Sequence, residues 1–499
     1  FTFNHNIKSL FKEKTMEVIQ PVFKHQENEF NDYRTQILLP QRMSRLGPFM
    51  AVGDVNADGR EDFFIGGAKG QAGALYVQSV DGNFSQSSQP ALAADQGFED
   101  MAALFFDADG DKDLDLYVVS GGSESPEGNA YQDRLYLNNG KGNFNASKNL
   151  PAISSSGSCV VAGDFDGDGD LDLFRAGRLV PNQYPMAPES YILINSGNGN
   201  FMNRTQEFAP GLKKAGMITS AVWCDVNGDK KNELVIAGEW MPIQIWEFSN
   251  GQFQLASAEK YQLQNTEGWW NKLVAEDIDG DGDVDLLCGN LGENYKFHAS
   301  QEKPFSVYAM DFDGNKTMDI VLAKFDGERM VPVRGKQCSS EQMPFISKKF
   351  TSFHQYADAT LEDIYGDNLK KAMHFQAKEF RSIILMNQGG KFERLPLPVE
   401  AQFSAVNGIV TGDFDGDGTQ DVLLAGNQFD TEVETTPADA SIGLLLLQKS
   451  GKFIPQTVLN SGVFLKNNVR DVQKIKVNGQ DMILVANNHG NLQVLAKNN

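Results

Sequence analysis

The stretch GDFDGDGDLDLF, residues 163–174, places Asp164, Asp166, Asp168, Asp170 and Asp172 within nine residues. Like charges at that spacing repel, so the chain must gather them around something that neutralises them. The same register recurs, with acid or amide at positions 1, 3 and 5 and a carboxylate at position 9. The copies are Asp54-Asn56-Asp58-Asp62, Asp107-Asp109-Asp111-Asp115, Asp164-Asp166-Asp168-Asp172 and Asp225-Asn227-Asp229-Glu233. Asp277-Asp279-Asp281-Asp285, Asp311-Asp313-Asn315-Asp319 and Asp413-Asp415-Asp417-Asp421 complete the set. Scattered surface acids have no reason to hold a fixed register beside apolar runs.

A hard cation such as Ca²⁺ takes six to eight oxygen ligands, and alternate residues of a tight loop aim several oxygens at one point. Position 7 is free to vary (Arg60, Asp113, Asp170, Lys231, Asp283, Thr317, Thr419), as expected where a backbone carbonyl is the ligand. An EF-hand would need a Glu at position 12, where this chain has Ile65, Val118, Arg175, Ile236, Cys288, Leu322 and Leu424. The flanks are short apolar runs bounded by glycine, so each loop is expected to join two strands. Gly59, Gly169, Gly282 and Gly418 at position 6 suit a tight turn, whereas Lys112, Lys230 and Lys316 do not. The strongest calcium sites are therefore expected at 164, 277 and 413, the weakest at 225 and 311.

A second signal follows most copies: GALYVQSVDGNF (73–84), RLYLNNGKGNF (134–144), YILINSGNGNF (191–201), IQIWEFSNGQF (243–253), SIILMNQGGKF (382–392) and IGLLLLQKSGKF (442–453). Each reads as strand, glycine turn, strand. Together the two signals spell a four-stranded unit, and such units bury both faces only by stacking around an axis. Acidic loops starting at 54, 107, 164, 225 and 277 recur every fifty to sixty residues or so, a blade-like period. The copy at 311 breaks that rhythm and reads as an insertion, 297–380, within the fifth blade. A seventh unit is expected in the tail, with Gln473 at position 1 and Asp481 at position 9, its acids worn away. The expectation is an all-β, seven-bladed β-propeller over 41–499, with an N-terminal extension 1–40 in which DYRTQILLPQ (32–41) closes the ring.

The acidic loops and strand-turn-Phe hairpins resemble the FG-GAP/VCBS repeat family, the calcium-loop propellers of integrin α-subunit heads. GPFMAVGDVNADGREDFFIGGAKG (47–70), GEWMPI (238–243) and GWWNKL (268–273) resemble its cartilage-acidic-protein-like bacterial branch. That resemblance implies a surface or secreted module, tethered to a bacterial outer membrane through a part outside this sequence, and a start at Phe1 suits a piece of a longer chain.

The net charge of −22 argues against a nucleic-acid partner, which needs a basic face. Seven divalent ions would leave about −8 and relieve most of that self-repulsion. No apolar run reaches membrane-spanning length. Cys159, Cys224, Cys288 and Cys338 lie far apart without metal spacing and read as buried thiols. No nucleophile elbow, P-loop or HExxH pattern is present, and the six histidines form no ligand pattern. Trp240, Trp269 and Trp270 are expected in the core, not on a sugar-binding face. Within the insertion, ATLEDIYGDNLKKAMHFQAKEF (359–380) reads as helical with Thr360 as N-cap. PVRGKQCSSEQMPFISKKF (332–350), basic on an acidic protein, is the candidate partner contact.

Two functions are left. One is a noncatalytic binding or accessory module for a surface or outer-membrane protein or a glycan, stabilised by up to seven Ca²⁺. The other is an enzyme acting on extracellular glycans from a propeller scaffold, which a pair of metal-free carboxylates at the ring axis would favour. Calcium loops of modest affinity place the chain outside the cell or at its surface.

Overall fold

A computed structural model describes residues 8–125 and 129–498. Residues 1–7 of the N-terminal extension, with His5, fall outside the described residues, as do 126–128 and 499. Strands dominate, and they form eight sheets. Seven share one plan of four antiparallel strands, with the acidic loop between the first and second in six of them. The first sheet joins Met50–Gly53, Asp62–Ile65, Ala74–Gln78 and Phe84–Ser87. The sheets that follow begin with Asp100–Phe106, Ser156–Gly163, Met217–Cys224, Lys272–Glu276, Gly408–Gly412 and Val469–Val477. Each of these opening strands lies against that of the next sheet, and Val469–Val477 returns to Met50–Gly53, so their order is cyclic.

The apolar side chains explain why the sheets stack. In the loops at 54, 107, 164, 225 and 277 the residue at position 2 shares a hydrophobic cluster with the phenylalanine at or beside the start of the fourth strand of the following sheet. Val55 clusters with Phe144, Ala108 with Phe201, Phe165 with Phe253, and Val226 with Phe392. Phe453 is packed against the cluster of Ile278. Apolar alternation inside each blade-like sheet thus feeds a hydrophobic layer on both of its faces.

The last sheet is completed from the other end of the chain. Phe11–Glu13 pairs with Gln493–Lys497, Phe11 opposite Lys497, and the Phe11 ring meets Phe414 edge-on at 5.4 Å. Residues 32–41 do not supply this strand. They form a single 3-10 turn, Asp32–Arg34, and a bridge from Gln41 to Thr431. Asp32 is buried there, accepting hydrogen bonds from the Met43 and Ser44 amides and from the Ser44 and Ser123 hydroxyls, so this segment is tied down across the ring instead of extending along an edge.

The tail also differs from its expected form. Gln473 and Asp481 sit inside strands Val469–Val477 and Gln480–Asn487, Asp481 opposite Lys476, and only Asn478 and Gly479 connect them. Both have positive φ, 51° and 78°, the two-residue turn that Asn-Gly favours, so there is no room for an acidic loop.

Residues between Asp285–Gly289 and Ile383–Asn387 carry the eighth sheet, in order Arg329–Pro332, Asp319–Asp326, Phe305–Met310 and Met373–Ala377, with short helices outside it. The helical expectation for 359–380 holds for Leu361–Tyr365, capped by Thr360 and Asp363 as a reciprocal box, and for a 3-10 turn, Gly366–Lys370, after it. Gly366 at φ 58° ends the α-helix, and Met373–Ala377 then pairs as a strand. Trp240 and Trp269, each 5% exposed, join Phe297, Phe305 and Phe380 in the core that seats this sheet, and Trp270 is fully buried elsewhere. No helix among the described residues is long and apolar enough to cross a membrane.

Candidate metal loops and their belt

All seven acidic loops have one backbone shape. Position 4 (Ala57, Gly110, Gly167, Gly228, Gly280, Gly314, Gly416) and position 6 (Gly59, Lys112, Gly169, Lys230, Gly282, Lys316, Gly418) lie at positive φ in every copy. Two left-handed residues turn successive amides inward. In six loops the position 1 carboxylate accepts from the amides of positions 4 and 6, as Asp164 does from Gly167 at 2.7 Å and Gly169 at 3.2 Å. In the first, Asp54 accepts from Asp58 and Gly59. The lysines at position 6 adopt the same conformation as the glycines, so the loop shape outweighs their intrinsic preference.

Position 9 opens the second strand and is buried. One oxygen of Asp62, Asp115, Asp172, Glu233, Asp285, Asp319 and Asp421 accepts from the position 2 amide at 2.8–3.2 Å. In five of them the second oxygen accepts from the backbone amide at the end of the third strand, at Gln78, Asn138, Asn195, Asn387 and Gln448. Burial pushes these acids up: Asp115, Asp172, Glu233 and Asp319 to about 7, Asp62 and Asp285 to about 6.

In five loops the carboxylates at positions 1, 3 and 9 place ligand oxygens within 4.8 Å of one another: Asp107, Asp109 and Asp115; Asp164, Asp166 and Asp172; Asp277, Asp279 and Asp285; Asp311, Asp313 and Asp319; Asp413, Asp415 and Asp421. The other two loops have amides at position 3, Asn56 and Asn227, and Asn227 donates to Glu233 at 2.8 Å. Position 5 stands apart from these trios; Asp111, Asp168, Asp281 and Asp417 accept from the position 7 amide. Oxygens converging from three acids suit a hard divalent cation, with position 1 and position 9 already oriented by backbone amides. Two loops also hold a cation of the chain itself. Lys449 bridges Asp415 and Asp417, and Arg60 pairs with Asp58.

The loops are linked to one another. Asn195 donates to the Ala108 carbonyl, position 2 of the preceding loop, at 2.8 Å and to Leu171 in its own sheet at 3.3 Å. Asn138 does the same to Val55 and Leu114, and Asn387 to Val226 and Val284. Gln78 takes this role toward Lys476 and Glu61. At four junctions, then, an amide side chain fastens one loop to the sheet behind it. The sequence signal for this belt was the Asn just before each glycine turn, in LNNG, INSG and MNQG.

The FG-GAP-like repeat family matches over residues 54–118, 107–174 and 225–288, three spans that each run from one acidic loop into a following strand. The chain carries FG-GAP-like repeats. No curated protein matches it. Among solved structures, it is similar to the V. cholerae biofilm matrix protein Bap1 (11% identity, TM-score 0.38, covering 96% of this chain and 91% of that one). It is also similar to BBS1N, crystallised in complex with ARL6DN (10%, 0.42, 98% and 98%), and to the Dos1 propeller (10%, 0.39, 95% and 95%). Such scores leave the sheets themselves to define the fold.

A cavity of about 250 Å³ lies where the seven opening strands converge, and each sheet lines it at or beside its first strand. Gln41, Leu46 and Phe49 of the N-terminal segment line it too. Its single lining carboxylate is Asp471, which accepts from the Met50 amide at 3.1 Å and faces Lys272 at 3.4 Å. The two-carboxylate pair that would favour glycoside chemistry is not assembled among these residues. Of the basic residues expected at 332–350 to face a partner, Arg334 is buried against Glu432, while Lys348 and Lys349 are exposed.

Proposed function

We propose that the chain is a seven-bladed β-propeller, of the cartilage-acidic-protein-like branch, whose hairpin corners hold Ca²⁺ and which acts as a noncatalytic binding module for a surface protein or a glycan. The observation that carries this reading is the repetition of one trio, positions 1, 3 and 9, at the same corner of five of the sheets. The cyclic order of the opening strands supports the ring and its blade count. Calcium supplies charge neutralisation at these corners; the chain's own contribution is to hold position 9 by two amides and position 1 by two more. Extracellular calcium modules work at affinities of about 10⁻⁴ to 10⁻³ M, which supports a place outside the cell or at its surface.

The test is calcium titration of the chelated protein by calorimetry, alongside its melting temperature. Five to seven ions, with a raised melting temperature, are expected because the metal binds the folded state alone. Fewer than three ions at millimolar calcium, or an unchanged melt, refutes the calcium reading. Submicromolar affinity at every site refutes the extracellular argument.

A further inference from the structure

Three residues that line the axial cavity each keep a buried hydrogen-bond donor that has no partner among the described residues: Arg178 Nη1, Arg470 Nε and Gln428 Nε2. All three residues are about 5% exposed, so bulk water does not satisfy them. Their other groups are committed. Arg178 Nη2 donates to Glu239, and the Glu239 carboxylate is held on its far side by the Tyr184 hydroxyl. Arg470 donates Nη1 to Gln428 Oε1 at 2.9 Å and Nη2 to the Arg45 carbonyl at 3.1 Å. A guanidinium has donors alone, so Gln428 must turn its oxygen to Arg470, which leaves its amide nitrogen without a partner.

The charge balance points the same way. Arg178, Lys272 and Arg470 line the cavity against one carboxylate, Asp471, which is already engaged by Lys272 and Gln473. Among the described residues Arg470 has no carboxylate within ion-pair distance. Burial holds its pKa below the usual guanidinium value; Asp430 and Glu27 oppose that, and Arg178 adds to it by a smaller amount. Arg178 is already paired with Glu239, but a buried guanidinium without a carboxylate, as Arg470 is, is costly unless an anion joins it.

We propose that the axial cavity binds a small oxyanion, the carboxylate, phosphate or sulfate group of a small molecule, between Arg178, Gln428 and Arg470. Planar guanidinium forks suit such oxygens. A volume of about 250 Å³ limits the ligand to something smaller than most drug-sized molecules. The ring thereby gains a ligand site at its centre that is chemically opposite to the acidic corners at its rim.

The test is titration of the full chain with sodium sulfate, methyl phosphate and sodium glucuronate at constant ionic strength in chloride, with calcium in excess, followed by calorimetry and thermal melting. Saturable binding of at least one probe is expected, with a raised melting temperature, and the probe that binds tells sulfate, phosphate and carboxylate apart. Arg470→Met should weaken binding at least tenfold. Gln428→Glu places a carboxylate beside Arg470, so it should abolish anion binding while melting no lower than the wild type, which keeps the test decisive if Arg470→Met does not fold. Failure of all three probes to act beyond chloride, or wild-type affinity in Gln428→Glu, overturns the proposal.

Discussion

Replacing Asn195 with alanine removes the fastener between the second and third sheets. Asn195 is 1% exposed, and its amide nitrogen serves the Ala108 carbonyl across the junction and the Leu171 carbonyl within its own sheet. Its oxygen also accepts from the Gly197 amide at 3.1 Å. Each such bond contributes about 1 kcal/mol net, and buried groups left without a partner cost about 1–3 kcal/mol more, so Asn195→Ala should destabilise by about 2–4 kcal/mol. Asn195→Asp should be worse, because a carboxylate would then face two carbonyl oxygens. Asn200→Ala is the control: Asn200 is exposed and bonds within its own turn, so less than about 0.5 kcal/mol is expected. Urea unfolding in chelated buffer reads the stabilities, and hydrogen exchange should show faster opening at 107–115, across the junction from the substitution. If Asn195→Ala and Asn200→Ala unfold at the same urea concentration, the belt does not hold the sheets together.

Three further outcomes follow from the loops and the core. Six position 9 acids, Asp62, Asp115, Asp172, Glu233, Asp285 and Asp319, have folded pKa values of about 6–7, above their unfolded values near 4, so without calcium their contribution is complete below about pH 4 and is lost as pH rises through 6–7. Melting temperatures in chelator should fall across that window and those in millimolar calcium should not; parallel profiles would refute this. Lys449→Met frees Asp415 and Asp417 from their ammonium partner, so the loop at 413 should bind calcium several-fold more tightly by terbium displacement, and an unchanged affinity would show that the lysine does not compete. Arg175 is fully buried and makes a two-pronged pair with Asp133 at 2.8 and 3.1 Å, so Arg175→Met should cost about 3–5 kcal/mol by leaving that carboxylate unpaired, checked by the same urea assay.

The acidic loops and the strand-turn-Phe hairpins were legible because their signals are local: alternate acids, a glycine, an aromatic. The ring-closing strand was not. FKE at 11–13 has no periodicity to read, and it is a strand because Gln493–Lys497 offers it an edge and Phe414 a surface. The belt asparagines read as ordinary turn formers, since Asn favours turns whatever its side chain reaches. Position 6 was judged by residue type, and three lysines at positive φ show that the hydrogen-bonded loop, not the residue, sets the backbone there. The ranking of the 413 loop missed Lys449, about thirty residues downstream and brought back only by the hairpin. Arg178 and Arg470 line one cavity at the axis, and nothing in the sequence places two residues about 290 positions apart in one hollow.

Phe11–Glu13 precedes its partner Gln493–Lys497 by about 480 residues. At ribosomal speeds about a minute separates them. During that interval the nascent ring stands open, with the apolar patch around Phe414 bare and a strand edge unpaired. Among the described residues, closure joins the strands of longest sequence separation, the kind of contact that forms slowly and late. The chain is most vulnerable to self-association while that edge is unpaired, so a chaperone that shelters the gap would govern its yield more than any gain in the stability of the finished ring.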